Sequence, residues 1–571
     1  MPVPHATPYA LTWHTTLGID PLLLVVVDTA RVVRRWPGFG GVLLGTLFAC
    51  ASLTPSLLPR TWTYQGVMTA VTALIGYGVG AVIGALGRAL IPYRPSERTR
   101  RLAWQALIGG GAALSLVALW YSHDWQRDLR ALMGMDTRIT WFSPLILAVA
   151  VVLFALGLLL ARLVRLGGRK LIGWLGRFVP VYVGRAIGVL LVAVLVAVFA
   201  DDVLFSAFVA RVSDVSSVAN QGTDPGVRRP GTSLVSGGPG SLVAWDTLGK
   251  EGRTFVASAP TAARLTAFSG HPAGEPIRVY VGLEAAPTPE AQAALAVREL
   301  ERTGAFRRPV LAVLGTTGTG WVDPSIPSAL EHMYDGRSAT VAVQYSYLPS
   351  WVSFMVDRER AARAGRALFE AVRARWAELP ADGRPKLVLA GESLGSYALE
   401  NAFHDLGDLA ARTDGAVFVG PPNANPIWRE VTVGREPGSP VWRPVYEEGR
   451  TVRFAQTPGD LYRPPGPWAR PRVVYLQNAS DPVVWWTPAL ILRRPAWLEG
   501  ERGPGVNPQM NWFPLVTFWQ VLVDMTSALS VPPGHGHRYN ANVVDAWAAV
   551  AAPPGWDAAD NVRLRALLSS S

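Results

Sequence analysis

The residues best suited to chemistry in this chain are a serine, an aspartate and two histidines, in the order Ser393, Asp481, His535/His537. Ser393 is the centre of Gly391-Glu392-Ser393-Leu394-Gly395, a G-x-S-x-G sequence. The apolar run Lys386–Ala390 precedes it and the helix-like Ser396–Phe403 follows it. Strand, sharp turn, helix is the setting that exposes a nucleophile at the top of a sheet. A turn that tight brings backbones together where a Cβ would clash, so glycine belongs at Gly391 and Gly395. It also leaves the backbone N–H of Leu394 free to face a developing oxyanion. Serine in a glycine-rich turn is ordinarily only a turn residue; its placement between strand and helix is what points to a nucleophile.

Arg472–Asn478 reads as a buried strand, and Asp481 lies in the turn beyond it, before Pro482. An acid at the end of a late strand can orient a histidine and stabilise its imidazolium. Pro532-Pro533-Gly534-His535-Gly536-His537 is a stiff, glycine-punctuated loop ahead of a final helix near Asn542–Val550. Both histidines are candidates for the general base, and His537 is preferred because it lies nearer that helix. Two histidines alone fall short of a metal site, and the single cysteine, Cys50, adds neither a ligand set nor a disulfide. Acyl transfer through an acyl-serine calls for no metal and no organic cofactor.

A second oxyanion donor is expected from the loop Gly315-Thr316-Thr317-Gly318-Thr319-Gly320-Trp321, which follows the strand-like Pro309–Leu314. Its glycines allow backbone amides to approach negative charge, and Thr316 and Thr317 are the named donors. A phosphate cradle is the rival reading, but the Gly-Lys-[Ser/Thr] ending of a P-loop is missing.

These loops need a scaffold. From Ile277 onward, strand-like Ile277–Leu283, Pro309–Leu314, Thr340–Tyr345, Lys386–Ala390, Ala416–Val419 and Arg472–Gln477 alternate with helical patterns such as Pro289–Arg302 and Asp357–Leu379. Alternation of this kind implies a mostly parallel sheet covered on both faces, an α/β unit over 276–571. Residues 211–275 are turn-rich: the first part reads as a linker, and Ser241–Ala257 is expected to pack on that unit as its start. The segments 421–471 and 483–530 are candidate inserted lids.

Residues 1–210 read as an all-α transmembrane bundle. Apolar stretches long enough to cross a bilayer lie at about Gly38–Leu58, Gly66–Ile91, Trp104–Tyr121, Pro144–Val164 and Ala186–Phe208. Pro21–Val33 is shorter, is interrupted by Asp28, and suits an interfacial helix; no cleavable signal peptide is expected. Arg31, Arg34 and Arg35 precede the first span, Arg94, Arg98, Arg100 and Arg101 follow the second, and Arg162 to Arg185 cluster between the fourth and fifth. The alternate loops hold Arg60 alone, or Arg127, Arg130 and Arg138 balanced by three aspartates. The positive-inside rule then makes the basic loops cytoplasmic and the α/β unit extracytoplasmic. The charge distribution agrees: of a formal +11, residues 1–210 contribute +10. Basicity confined to membrane loops excludes nucleic acid as the expected partner.

Beyond these readings, the chain resembles the membrane-anchored α/β-hydrolases of actinobacteria and proteobacteria, of the type labelled abhydrolase-9. The resemblance rests on Ser52-Leu53-Thr54-Pro55-Ser56-Leu57-Leu58-Pro59-Arg60, Ala296–Leu300, Gly315–Pro324, Gly391–Ser396 and Pro533–His537. It implies an α/β-hydrolase fold behind a multi-pass anchor in the bacterial inner membrane, acting as a serine hydrolase on a lipid or envelope ester.

The residues themselves say less about substrate. Trp485, Trp486, Trp497, Trp512 and Trp519, with Phe513 and Phe518, fill the stretch between Asp481 and His535. They suit an acyl chain or a membrane interface, and equally the core of an inserted subdomain. An esterase or lipase heads the function classes; an acyltransferase using the same triad and an inactive receptor or transporter accessory are the alternatives. The expected partners are an ester substrate and the bilayer, with oligomeric state left open.

Overall fold

The computed structural model describes residues 37–91, 95–139, 142–175 and 206–570. Its N-terminal half is helical: α1 (Phe39–Ser52), α2 (Trp62–Leu90), α3 (Glu97–Leu132) and α4 (Phe142–Leu175). Among the described residues three helices are long and apolar enough to cross a membrane, within α2, α3 and α4. Small residues let the helices touch: a Cβ on Gly80 of α2 would lie 2.0 Å from the Gly40 carbonyl oxygen of α1.

The stretch Gly38–Leu58, expected as a span, differs. Its helix has 14 residues, about 21 Å at 1.5 Å per residue, short of the roughly 30 Å hydrocarbon core. Pro55 and Pro59 cannot continue a helix, and Leu57, Leu58 and Arg60 are buried against the C-terminal half. The expected span Ala186–Phe208 and the segment Pro21–Val33 lie largely or wholly outside the described residues; Ser206 opens helix α5 (Ser206–Gln221).

The C-terminal half is built on seven strands: β1 (Ile277–Val281), β2 (Val310–Gly315), β3 (Ser338–Val343), β4 (Lys386–Glu392), β5 (Gly415–Val419), β6 (Val452–Ala455) and β7 (Arg472–Leu476). They form one all-parallel sheet in the order β1-β3-β2-β4-β5-β7-β6. Near-continuous apolar runs such as Leu387-Val388-Leu389-Ala390 suit it, because both faces are covered and these side chains are fully buried. Helices α6 (Pro289–Thr303), α8 (Arg358–Ala377) and α9 (Leu394–Glu400) pack as one group, and α7 (Ser325–Met333) with α11 (Val543–Ala551) as another. Local signals set the boundaries of α6: Thr288 caps it through the Ala291 N–H, Pro289 opens it, and Gly304 ends it at φ 73°.

Two segments do more than the sequence implies. Residues 211–275, expected as a linker and, from Ser241, the start of the α/β unit, fold onto the β1 edge from Asn220 onward. Arg253 Nη2 donates to the carbonyls of Asn220 and Gln221 at 2.9 and 2.8 Å, and Val235 bridges Arg278 of β1. Within the segment 421–471, expected as a lid, Val452–Ala455 supplies edge strand β6. The segment 483–530 includes helix α10 (Val516–Asp524), which packs on α1 and α2.

Candidate active site

The sheet brings the chemical residues together at the carboxyl ends of β2, β4, β5 and β7, where ligands bind in open α/β sheets. Gly315 ends β2 opposite Gly391 of β4 in register. A Cβ on Gly315 would lie 2.1 Å from the Gly395 carbonyl oxygen, and one on Gly395 would lie 2.3 Å from that of Gly315. Only glycine at both positions lets the β2 loop and the turn after β4 touch backbone to backbone. Ser393 sits in that turn at φ 52°, ψ −122°, as the residue before α9. A positive φ at a non-glycine residue is strained, and a strained serine at the head of a helix is the backbone geometry that a nucleophile elbow needs.

The candidate acid and base, Asp481 and His537, are in direct contact. Asp481 is fully buried, and its Oδ2 accepts the His537 Nδ1–H at 2.7 Å and the Tyr539 hydroxyl at 2.6 Å. Its Oδ1 accepts the Val483 N–H at 2.8 Å. A carboxylate can only accept, so Nδ1 carries a proton, and in the neutral imidazole Nε2 then keeps its lone pair, the tautomer a general base needs. Tyr539 also accepts the Asn478 N–H at 3.1 Å. Burial and the Asp481 charge push its phenol well above the usual tyrosine range, so it serves Asp481 only as a donor.

The imidazole of His537 lies on Gly420: a Cβ there would fall 2.4 Å from its Cε1. Gly420 follows Val419, whose carbonyl accepts the Ser393 N–H at 2.8 Å. Ser393 and His537 therefore flank the same two residues at the end of β5. His535 is elsewhere in the loop, beside Gly505, with its Nδ1 buried and unpartnered and burial pushing its pKa below the usual histidine range. It makes no bond to Asp481.

The proposed oxyanion donors separate as well. Leu394 begins α9, so its N–H has no intrahelical acceptor. Thr316 holds its hydroxyl on the Val343 carbonyl at 2.8 Å, and its amide makes none of the loop's turn hydrogen bonds. The Thr317 amide is committed to the Trp321 carbonyl at 2.9 Å. That removes it as a backbone donor, because the loop closes its own turn through this N–H.

Glu392, expected only as the residue between glycine and serine of the elbow, brings a carboxyl to the site. Its Oε1 is 3.7 Å from His537 Nε2. Burial first, then Asp323 and Asp481, push Glu392 well above the usual carboxylate range. Burial thus favours its uncharged form beside the His537 imidazole. Asp323 is held by the Ser325 N–H and hydroxyl at 2.7 and 2.6 Å. A cavity of about 480 Å³ opens on this cluster, with Trp321, Asp323, Glu392, His537 and His332 in its wall. Tyr539 and Asp323 carry no sequence signal of their own; neighbours in space single them out. Asp414 and Asp524, the other acids near late elements, are used elsewhere: Asp414 accepts the Leu387 N–H at 2.7 Å and Asp524 pairs with Arg60.

Residues 277–564, more than half of the chain, match the Alpha/beta-hydrolase family. Residues 53–260 match the Alpha/beta-hydrolase family N-terminus. No curated protein and no solved structure gives a match.

Proposed function

We propose that this chain, which belongs to the Alpha/beta-hydrolase family, is a membrane-anchored serine hydrolase that cleaves carboxylic esters through Ser393, His537 and Asp481. The observation that carries the reading is the 2.7 Å contact of His537 Nδ1 with buried Asp481, with the imidazole on Gly420, the residue after the Val419 carbonyl that accepts the Ser393 N–H. In the proposed reaction the Ser393 Oγ attacks the acyl carbonyl while His537 Nε2 takes its proton. The Leu394 N–H, joined by the Thr316 N–H, donates to the oxyanion. The carbonyl reforms as the alcohol leaves with the proton from His537, giving an acyl-serine. Water, deprotonated by the same nitrogen, then releases the carboxylic acid and restores the serine.

A lipid or other cell-envelope ester is the proposed substrate class. The catalytic half is tethered to apolar helices of membrane-spanning length, and Phe354, Trp486 and Phe518 form a contiguous aromatic row. The proposed site lies outside the cytoplasm, a reading supported by the basic residues clustered in alternate membrane loops.

A fluorophosphonate probe tests the core of this reading. It is expected to label the wild-type chain at Ser393 and to miss Ser393→Ala. Equal labelling of both, or none of either, removes Ser393 as the nucleophile. An acceptor-dependent ester product in single-turnover reactions would assign the acyl group to transfer instead of hydrolysis.

A further inference from the structure

The two halves of the molecule meet in a buried polar joint that leads directly to the histidine loop. Arg60 Nε is 2.6 Å from Asp524 Oδ1, and both side chains are fully buried. Asp524 also accepts the Ser56 hydroxyl at 3.1 Å and the backbone N–H groups of Leu57 and Leu58 at 3.0 and 3.4 Å. Arg60 extends its fork to Gln65 Oε1 at 3.0 Å and to the Gln520 carbonyl at 3.3 Å, and its own N–H is held by Gln126 of α3 at 2.8 Å. One turn before Asp524, the Gln520 amide donates to the carbonyls of Ser52 and Thr54. Every hydrogen bond made by the Asp524 carboxylate thus comes from the membrane half.

Asp524 is the last residue of α10, and four residues later the Ala528 carbonyl accepts the His537 N–H at 2.9 Å. A Cβ on Gly536 would fall 2.6 Å from that same oxygen, so the loop is seated on it without slack. The Arg538 guanidinium adds a bond to the Val531 carbonyl at 3.2 Å. Burying both ions costs most of what their attraction returns, so the pair adds little net stability over an apolar contact. What a planar fork and a fixed carboxylate do supply is a single register.

We propose that Arg60 and Asp524 are positioning residues. Through them the membrane half sets where α10 ends, and so where the histidine loop holds Nε2 of His537 relative to Ser393. The inference rests on the reading of His537 as the base, and it makes the membrane half a working part of the active site in addition to an anchor.

Two conservative variants of the full chain in detergent test it. Arg60→Lys keeps the charge and loses the fork; Asp524→Asn keeps the shape and loses the charge. Each is expected to lower the rate of fluorophosphonate labelling at Ser393 by about 10- to 100-fold, with KM for a small ester nearly unchanged. Amide hydrogen exchange is expected to quicken over 528–538 while β4, β5 and β7 stay protected. Trp125→Phe removes a different bond across the same interface, Nε1 to Gln509 Oε1 at 2.5 Å, and is expected to keep wild-type labelling and exchange. If either ion variant does not fold, Gln520→Leu, which strands no charge, is expected to reproduce both effects. Wild-type labelling and exchange in the folded variants overturn the proposal, and so does an equal loss in Trp125→Phe. If the wild type itself is not labelled, the serine-hydrolase reading fails and exchange decides alone: faster exchange over 528–538 supports the joint, unchanged exchange refutes it.

Discussion

Asp481 and Asp524 are both fully buried carboxyls that gather several donors, yet the molecule uses them differently. Asp524 faces a guanidinium, a permanent cation, and its other donors are a hydroxyl and two backbone amides fixed in a proline-broken turn. Nothing around it gains or loses a proton near neutral pH, so it works as a clamp. Asp481 faces an imidazole, a group that can take up and release a proton. A second donor, Tyr539, and the helix start at Val483 hold the carboxylate still while the imidazole changes state. The partner, more than the burial, decides whether a buried acid is structural or chemical.

Removing the charge at Asp481 breaks the comparison most sharply. Asp481→Asn is expected to lower kcat by roughly 10⁴-fold with the fold retained, because the amide no longer holds the Nδ1–H tautomer. Steady-state hydrolysis of a small ester alongside a thermal melt checks both halves of that statement. Near-normal turnover would move the acid role away from Asp481.

At the other acid the loss is expected in stability. Arg60→Ala leaves Asp524 buried without its cation, a change that costs about 3–5 kcal/mol. Asp524→Ala is expected to be equally damaging alone, and the double variant less damaging than the two single losses added together. Chemical denaturation in detergent reads the coupling; strict additivity would mean that the two side chains do not act as a pair.

Tyr539→Phe sharpens the contrast from the side of Asp481. It deletes one donor to the carboxylate and leaves the Asn478 N–H unpaired. The expected cost is about 10-fold in kcat/KM, with a melting temperature lowered by a few degrees. A wild-type rate would show that His537 and Val483 alone orient the acid.

The smallest effect concerns a third buried acid. Glu400 accepts from Asn425, Tyr475 and the Ile427 and Trp428 amides, yet burial outweighs these donors and pushes its pKa to about 7. The folded chain then keeps a proton that the unfolded chain releases above the ordinary glutamate pKa of about 4.3. Its contribution to stability is complete below that pH, declines as pH rises towards 7, and is level beyond. Melts from pH 4 to 8 should show this slope, and Glu400→Gln should flatten it.

Much of this architecture is legible in the residues. Buried parallel strands read as unbroken apolar runs, so the strand segments and the strand–turn–helix around Gly391–Gly395 are visible locally. The family resemblance through Ser52–Arg60 also points to the stretch that forms the joint. Other features are not local. The stretch Gly38–Leu58 is apolar enough to read as a span, and the docking of Leu57, Leu58 and Arg60 on the other half shows that its helix stops short of one. Thr316 and Thr317 look alike in sequence, but a turn closed by Trp321 consumes one amide and not the other. Glu392 reads as a filler residue of a motif until the sheet sets its carboxyl beside His537.

The linear order of residues determines that this chain has an apolar helical half and an α/β half, with a serine on a tight turn and acid and base downstream. Those properties follow from short-range rules: periodicity, hydrophobic length and the sterics of glycine. Which histidine reaches Asp481, and that Asp524 answers to a residue 464 positions earlier, was decided only when the elements packed. Contacts across such distances depend on how whole faces fit together, and no local pattern encodes that.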